Sequence, residues 1–240
     1  MIDNYIFDLY GTLIHIRTDE AMPSLWKRMA LLLSLQGAAY EPLELQRAYG
    51  AAVEEQIDAC HSRRPAVPRD HVEPDILDVF RSLYGQKGVY VDDRGTADTA
   101  LFFRTLSMVR PVRPYTGAVR VLQRLRERGK GVYLLSNAQA AFTRPELTKL
   151  GMASLFDGLV LSSDAGVKKP DKAIFEHLFS KYGLRPETCG MIGNDVEADM
   201  AGAANVGMAG WYIHTDLSPA VSGPLPEGCH RIRRLTDLLR

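Results

Sequence analysis

Five short apolar runs, each ending on a polar residue at a turn and each separated from the next by a helical stretch, constrain this chain more than any other feature. Tyr5-Ile6-Phe7 stops at Asp8 and is followed by Gly11-Thr12; Val132 to Leu135 stops at Ser136-Asn137; Gly158 to Leu161 stops at Ser162; Thr188 to Ile192 stops at Gly193-Asn194-Asp195; and Ala209 to Ile213 stops near His214. Runs this short and this apolar suit strands buried on both faces, and the breaks that follow supply sharp turns. Helical patterns over Gly117 to Arg128, Phe142 to Leu150, Lys172 to Tyr182 and Val196 to Val206 lie between them. Alternation of this kind predicts βαβ units and an α/β fold, a doubly wound parallel sheet with helices on both faces. In such sheets ligands bind beyond the carboxyl ends of the strands, which is where Asp8, Ser136, Asn194 and Asp195 fall.

The roughly one hundred residues between the first strand and the helix at Gly117 break the rhythm. They read as helices, Pro23 to Leu35, Pro42 to Cys60, Pro74 to Tyr84 and Thr96 to Leu106, with no convincing strand pair. A βα connection normally takes about 2 to 6 residues, so the excursion predicts an inserted helical cap over residues 17–111, with a core built from 1–16 and 112–240. Leu217 to Cys229 is expected to be a loop, leading to a short strand His230 to Ile232 and a last helix Leu235 to Arg240.

Composition narrows the classes of function. Twenty-nine basic side chains balance 29 acidic ones, which argues against a nucleic-acid or anionic-membrane surface. No apolar run approaches the length of a membrane span, and the first residues lack the basic and apolar regions of a secretory leader, so a soluble cytoplasmic protein is expected. Cys60, Cys189 and Cys229 form no CxxC pair and are read as reduced, structural thiols. The six histidines show no metal-ligand spacing and are read as surface or structural, with substrate contact the lesser alternative for His15, where the chain leaves toward the cap. Oligomeric state is not legible.

Chemistry is concentrated in four segments: Asp8-Leu9-Tyr10-Gly11-Thr12-Leu13, Leu134-Leu135-Ser136-Asn137, Val167-Lys168-Lys169-Pro170-Asp171, and Ile192-Gly193-Asn194-Asp195 with Asp199. A carboxylate at a strand end beside a Gly-Thr turn can attack an electrophile such as phosphorus, form an ester, and be released by water. Two anions in one site need positive charge, from a lysine and from a divalent cation held by oxygen ligands. Singly, each segment has a plain structural reading: Asp195 as a helix cap, Ser136-Asn137 as a turn, Lys169 as a surface lysine.

In order and spacing the four segments resemble the motifs of the haloacid dehalogenase-like (HAD) hydrolase superfamily, over residues 1–16 and about 112–240. The resemblance implies Asp8 as nucleophile and Mg²⁺ bound by Asp8, the Tyr10 main-chain carbonyl and Asp195, with Asn194 assisting. It also implies Lys169 as the cation, with Lys168 as competitor. Ser136 and Asn137, with Thr12 opposite, would bind the transferred group's oxygens, and Asp199 would orient Lys169 or metal-bound water. One departure matters: phosphatases of the superfamily carry a second aspartate, a general acid, where this chain has Tyr10. A general acid contributes about 10² to 10⁴ in rate, so its absence favours good leaving groups. The same Asp-x-Tyr pattern is similar to the metal-free 2-haloacid dehalogenases, which also need a cap guanidinium; Arg17, Arg28 and Arg47 are candidates. Gly193 to Asp199 instead resembles the metal-binding segment of phosphatases. A Mg²⁺-dependent phosphatase acting on a small phosphorylated metabolite is therefore the expected function, with a dehalogenase as the alternative and a binding or regulatory protein as a reading of another class.

Overall fold

The computed structural model describes residues 2–221 and 223–240. Met1, the first residue of the expected core, and Ser222, within the expected loop, lie outside the described residues. In chain order the elements are β1 (Asn4–Phe7), β2 (Ile14–Thr18), α1 (Pro23–Leu35), α2 (Pro42–Arg63), α3 (Ile76–Gln86), α4 (Asp93–Ser107), β3 (Met108–Pro114) and α5 (Ala118–Glu127). Then come β4 (Gly131–Ser136), α6 (Ala140–Lys149), β5 (Gly158–Leu161), α7 (Ser162–Ala165), α8 (Lys172–Tyr182), β6 (Cys189–Gly193), α9 (Gly202–Asn205), β7 (Ala209–Ile213) and β8 (Cys229–Ile232).

Six strands form one sheet in the order β5-β4-β1-β6-β7-β8, and every pairing in it is parallel. Alternate residues along each strand point to opposite faces, so each face builds its own core. Phe7, Leu134, Ile192 and Ile213 pack on one side with Val121, Leu122 and Leu125 of α5. Ile6, Leu135, Met191 and Tyr212 pack on the other with Ile174, Phe175 and Leu178 of α8. Burial on both faces is why the strands read as unbroken apolar runs. Because β1 sits between β4 and β6, the end of β1 carrying Asp8 is flanked by the ends carrying Ser136 and Gly193-Asn194.

Helices α1 to α4 enclose a third apolar cluster, in which Trp26, Phe80 and Phe103 are buried and which Phe142 and Ala141 of α6 join from the sheet side. Proline opens α1 and α2 at a position where its missing N–H is no loss. Asp75 and Asp92 cap α3 and α4 through hydrogen bonds to the amides of Leu77 and Gly95.

The structure corrects the sequence reading at three places. β2 and β3 pair antiparallel at the two ends of the helical excursion, where no strand pair was expected. β3 reads Met-Val-Arg-Pro-Val-Arg-Pro and is largely exposed, so it lacks the apolar signature of a buried strand. The helix expected over Val196 to Val206 is a π-helical turn, Val196–Ala201, followed by the single α-turn α9. The last element, Leu235–Leu239, is a 3₁₀ turn rather than an α-helix. Among the described residues no helix is long and apolar enough to cross a membrane. Cys60 and Cys189 are buried, Cys229 is half-buried, and none is in a disulfide.

Candidate active site

The chain beyond β1 turns tightly: the amides of Thr12, Leu13 and Ile14 all donate to the carbonyl of Leu9, and that of Gly11 donates to Ile14. Gly11 has φ 87°, and a Cβ there would lie 2.3 Å from the Asn194 side-chain amide. Both the left-handed backbone and the close approach require glycine. The Tyr10 carbonyl takes none of these backbone bonds, and Tyr10 lines a chamber of about 170 Å³.

Eight of the nine residues predicted for the site line that chamber: Asp8, Tyr10, Ser136, Asn137, Lys169, Asn194, Asp195 and Asp199. Asp8 is 6% exposed, and its Oδ1 accepts from Ser136 Oγ at 3.0 Å and Lys169 Nζ at 2.8 Å. The ninth, Thr12, is buried behind the nucleophile, its hydroxyl 3.2 Å from Asp8 Oδ2 and 3.1 Å from Asn194 Oδ1. Of the two adjacent lysines it is Lys169 that reaches Asp8, while Lys168 lines a different cavity.

All three hydrogens of the Lys169 ammonium are used, on Asp8 Oδ1, on Asp199 Oδ1 at 2.6 Å and on the carbonyl of Leu135 at 2.9 Å. Burial alone would depress its pKa, but the charges of Asp199 and Asp8 outweigh that, and it is held above the ordinary lysine value. Asp199 is pushed up to about 7, chiefly by burial, with Lys169 pulling it down and the charge of Asp8 adding to the rise. Its second oxygen accepts from the amide of Asp195 at 3.0 Å, so one carboxylate braces both the lysine and the Asp195 backbone. A Cβ on Gly193 would lie 2.1 Å from that oxygen, so glycine is needed there too.

Asp195 caps the π-turn through Oδ1, which accepts from the amides of Glu197 and Ala198 at 2.9 and 3.0 Å, leaving Oδ2 without a protein partner among the described residues. The Asn137 side chain clamps the Lys169 peptide from both sides, accepting from its N–H at 2.8 Å and donating to its carbonyl at 2.9 Å. Its amide is thus spent on placing the lysine.

Tyr10 departs furthest from its expected surroundings. Its hydroxyl donates to Glu146 Oε2 at 2.5 Å and lies 3.0 Å from Thr143 Oγ1, both on α6. Arg104 of α4 bonds Glu146 Oε1 at 2.7 Å, with its guanidinium 5.3 Å from the Tyr10 ring. Burial and the Glu146 charge both push the phenol well above its ordinary pKa. Sequence reasoning missed Glu146 and Arg104, as well as Leu217 and Pro219, which close the chamber on one side. The arginines it weighed, Arg17, Arg28 and Arg47, are exposed and none lines this chamber. His15 is buried against Tyr115, its Nε2 3.0 Å from Asp216, and it does not line the chamber either.

Every potential ligand here is oxygen: the carboxylates of Asp8 and Asp195, the Tyr10 carbonyl and the Asn194 amide. Among the described residues no three His, Cys, Asp or Glu side chains gather into a closed metal cage. An oxygen set with only two carboxylates suits Mg²⁺, which keeps waters and takes substrate phosphate as further ligands, better than it suits Zn²⁺.

The family model of haloacid dehalogenase-like hydrolases matches residues 2–207. A glyceraldehyde 3-phosphate phosphatase of Methanothermobacter thermautotrophicus is 31% identical over 109 residues, 45% of this chain and 48% of that protein. The chain spans about half the length of the curated relatives it matches. Among solved structures, a 2-haloacid dehalogenase from Pseudomonas syringae superposes with a TM-score of 0.61 at 20% identity, covering 100% of this chain and 97% of that one. A HAD phosphatase from Thermococcus onnurineus gives 0.58 at 18%, covering 99% and 96%. At such identities the likeness is one of fold, and it extends over the helical excursion as well as the sheet.

Proposed function

Since the chain belongs to the haloacid dehalogenase-like hydrolases, we propose that it is a Mg²⁺-dependent phosphatase of small phosphorylated metabolites, with residues 17–111 acting as a cap on a core of 1–16 and 112–240. The observation that carries this reading is Asp195, a carboxylate in the chamber of Asp8 that, unlike Asp199, keeps one oxygen uncommitted among the described residues. Halide displacement from a haloacid has no use for it. Phosphatase names among the curated relatives support the same choice.

Asp8 attacks phosphorus, the bond to the leaving oxygen breaks, and an aspartyl-phosphate forms that water then hydrolyses. Ser136 and Lys169 fix the carboxylate through Oδ1, Thr12 lies against Oδ2, and the lysine balances charge beside the nucleophile. Mg²⁺, held by Asp8, Asp195 and the Tyr10 carbonyl with Asn194 nearby, would supply further positive charge to the phosphoryl group. Asp199 and Asn137 fix the position of Lys169.

The deciding experiment assays phosphate esters, acyl phosphates and 2-haloacids with and without Mg²⁺. Chelation is expected to abolish phosphate hydrolysis, and Asp195→Ala to lower kcat by at least about 10²-fold and remove its response to added Mg²⁺. Full activity in excess chelator, or on haloacids alone, would replace this reading with dehalogenation. The observation favouring that alternative is Tyr10 itself, which leaves no obvious proton donor for an alkoxide.

The position of the Tyr10 hydroxyl permits a second test. With its hydrogen on Glu146, Tyr10→Phe is expected to leave kcat on aryl and alkyl phosphates within about threefold. Stability should fall by about 1–3 kcal/mol, because a buried carboxylate oxygen loses its donor. Denaturant melts and parallel kinetics measure both; a selective loss on alkyl phosphates would make the phenol a proton donor.

A further inference from the structure

Between α2, α3 and the core lies a second cavity of about 220 Å³. The loops that hold Asn137 and Lys169 wall both cavities, because Gln139 and Lys168 line this one. The segment before α3 is fastened there: the amide of Lys168 donates to the His71 carbonyl at 2.8 Å, and that of Glu73 to Gly166 at 3.3 Å. Val53, Ile57 and Val79 make an apolar wall on the helical side.

The polar groups of this chamber are unevenly matched. Glu73 accepts from Gln139 Nε2 at 2.6 Å. Burial pushes its carboxyl up, while the charge of Lys168 pulls it down. Glu20 lines the same chamber, is exposed, and among the described residues its carboxylate makes no hydrogen bond or ion pair. Burial also pushes the Glu20 carboxyl up, while the charge of Arg104, itself bonded to Glu146, pulls it down. Two carboxylates and one ammonium therefore line the cavity, and since the Arg104 charge is shared with Glu146 the lining stays acceptor-rich.

We propose that this chamber receives the organic part of the substrate, and that Glu20 and Glu73 select a phosphate ester whose leaving group carries hydrogen-bond donors, hydroxyl or ammonium, and no second anionic charge. The inference rests on the phosphatase reading and adds the substrate class. Carboxylates at an apolar wall gain charge-assisted bonds from such donors, and they repel a leaving group bearing a carboxylate or a further phosphate.

The test compares kcat/KM for 2-aminoethyl phosphate, 2-hydroxyethyl phosphate and carboxymethyl phosphate with Mg²⁺, using phenyl phosphate to report the core chemistry. The better of the first two is expected to exceed carboxymethyl phosphate by at least about tenfold, and which one leads distinguishes ammonium from hydroxyl recognition. Glu20→Lys should reduce that preference by at least about tenfold, and Glu20→Gln by less, since it removes the charge without reversing it. Turnover of phenyl phosphate with equal efficiency on all three esters, or a preference unmoved by Glu20→Lys, overturns the substrate class alone. No turnover of any phosphate overturns the phosphatase reading and this inference with it.

Discussion

Asp8→Asn is expected to reduce kcat by at least about 10⁴-fold on every substrate, because an amide neither attacks phosphorus at a useful rate nor forms the acyl phosphate that water must later hydrolyse. The substitution is close to isosteric. An amide oxygen at Oδ1 still accepts from Ser136 and Lys169, and the amide nitrogen can turn toward the Thr12 oxygen, so the fold should survive. Intact folding is checked by circular dichroism and a denaturant melt. The chemical signature is sought by acid-quenching wild type with excess substrate, when a phosphoryl group should appear on the peptide containing Asp8 and be absent from the variant. Turnover by the folded variant would remove the nucleophilic mechanism. If wild type itself shows no turnover, and the variant binds the same ligands equally well, the chain is a binding protein on a hydrolase fold.

The sheet was legible because five of its six strands, all but β8, bury residues on both faces, which compels the apolar runs, and because polar residues appear where each run leaves the core. Strand order was not legible, since parallel strands give no local signal of which neighbour they will pair with. The β2–β3 ribbon was missed for a different reason: Arg110, Arg113, Pro111 and Pro114 give β3 the look of a loop, and the pairing is made across the whole helical excursion. The π-turn could not be anticipated either. It places Asp199 four residues after Asp195 so that one oxygen reaches the Asp195 amide while the other reaches Lys169.

Residue identities around Asp8 were readable for the same reason the sheet was, because strand ends converge. Partnerships were less so. Asn137 could be placed at the site from its position after β4, yet its commitment to both polar atoms of the Lys169 peptide depends on how two loops meet. Tyr10 stood out as a substitution for an acid, but Glu146 lies 136 residues away, on an α6 that contains Pro145, and Arg104 lies on a helix whose inward face could not be assigned. Only packing brings these three together. The acceptor-rich lining of the second chamber was hidden in the same way, since Glu20, Glu73 and Lys168 come from three separate segments.

Lys169→Met should be the most damaging substitution for stability and activity together, because it removes the one ammonium buried between two carboxylates. The Lys169 side chain is 1% exposed, that of Asp199 1% and that of Asp8 9%. Methionine fills similar volume but compensates neither charge, and breaking a buried pair in this way costs about 3–5 kcal/mol. Part of the loss is relieved if a carboxylate takes up a proton. In wild type Asp199 is already pushed up from the ordinary carboxylate range to about 7, with Lys169 opposing the rise, so removing the lysine raises it further. Between the unfolded and the folded pKa the native protein holds a proton that the unfolded chain has released, and stability therefore falls as pH increases through that window. The variant should accordingly lose more stability at pH 8 than at pH 5.5, measured as the difference from wild type in urea melts at the two values. A deficit independent of pH would mean that Asp199 and Asp8 find another partner when Lys169 is gone. Activity should fall by at least about 10³-fold at either pH, since protonation relieves the repulsion without restoring positive charge beside the phosphoryl group. Lys169→Arg is the control: it retains the charge but not the compact ammonium that reaches Asp8, Asp199 and the Leu135 carbonyl together, so it should recover much of the high-pH stability and little of the turnover.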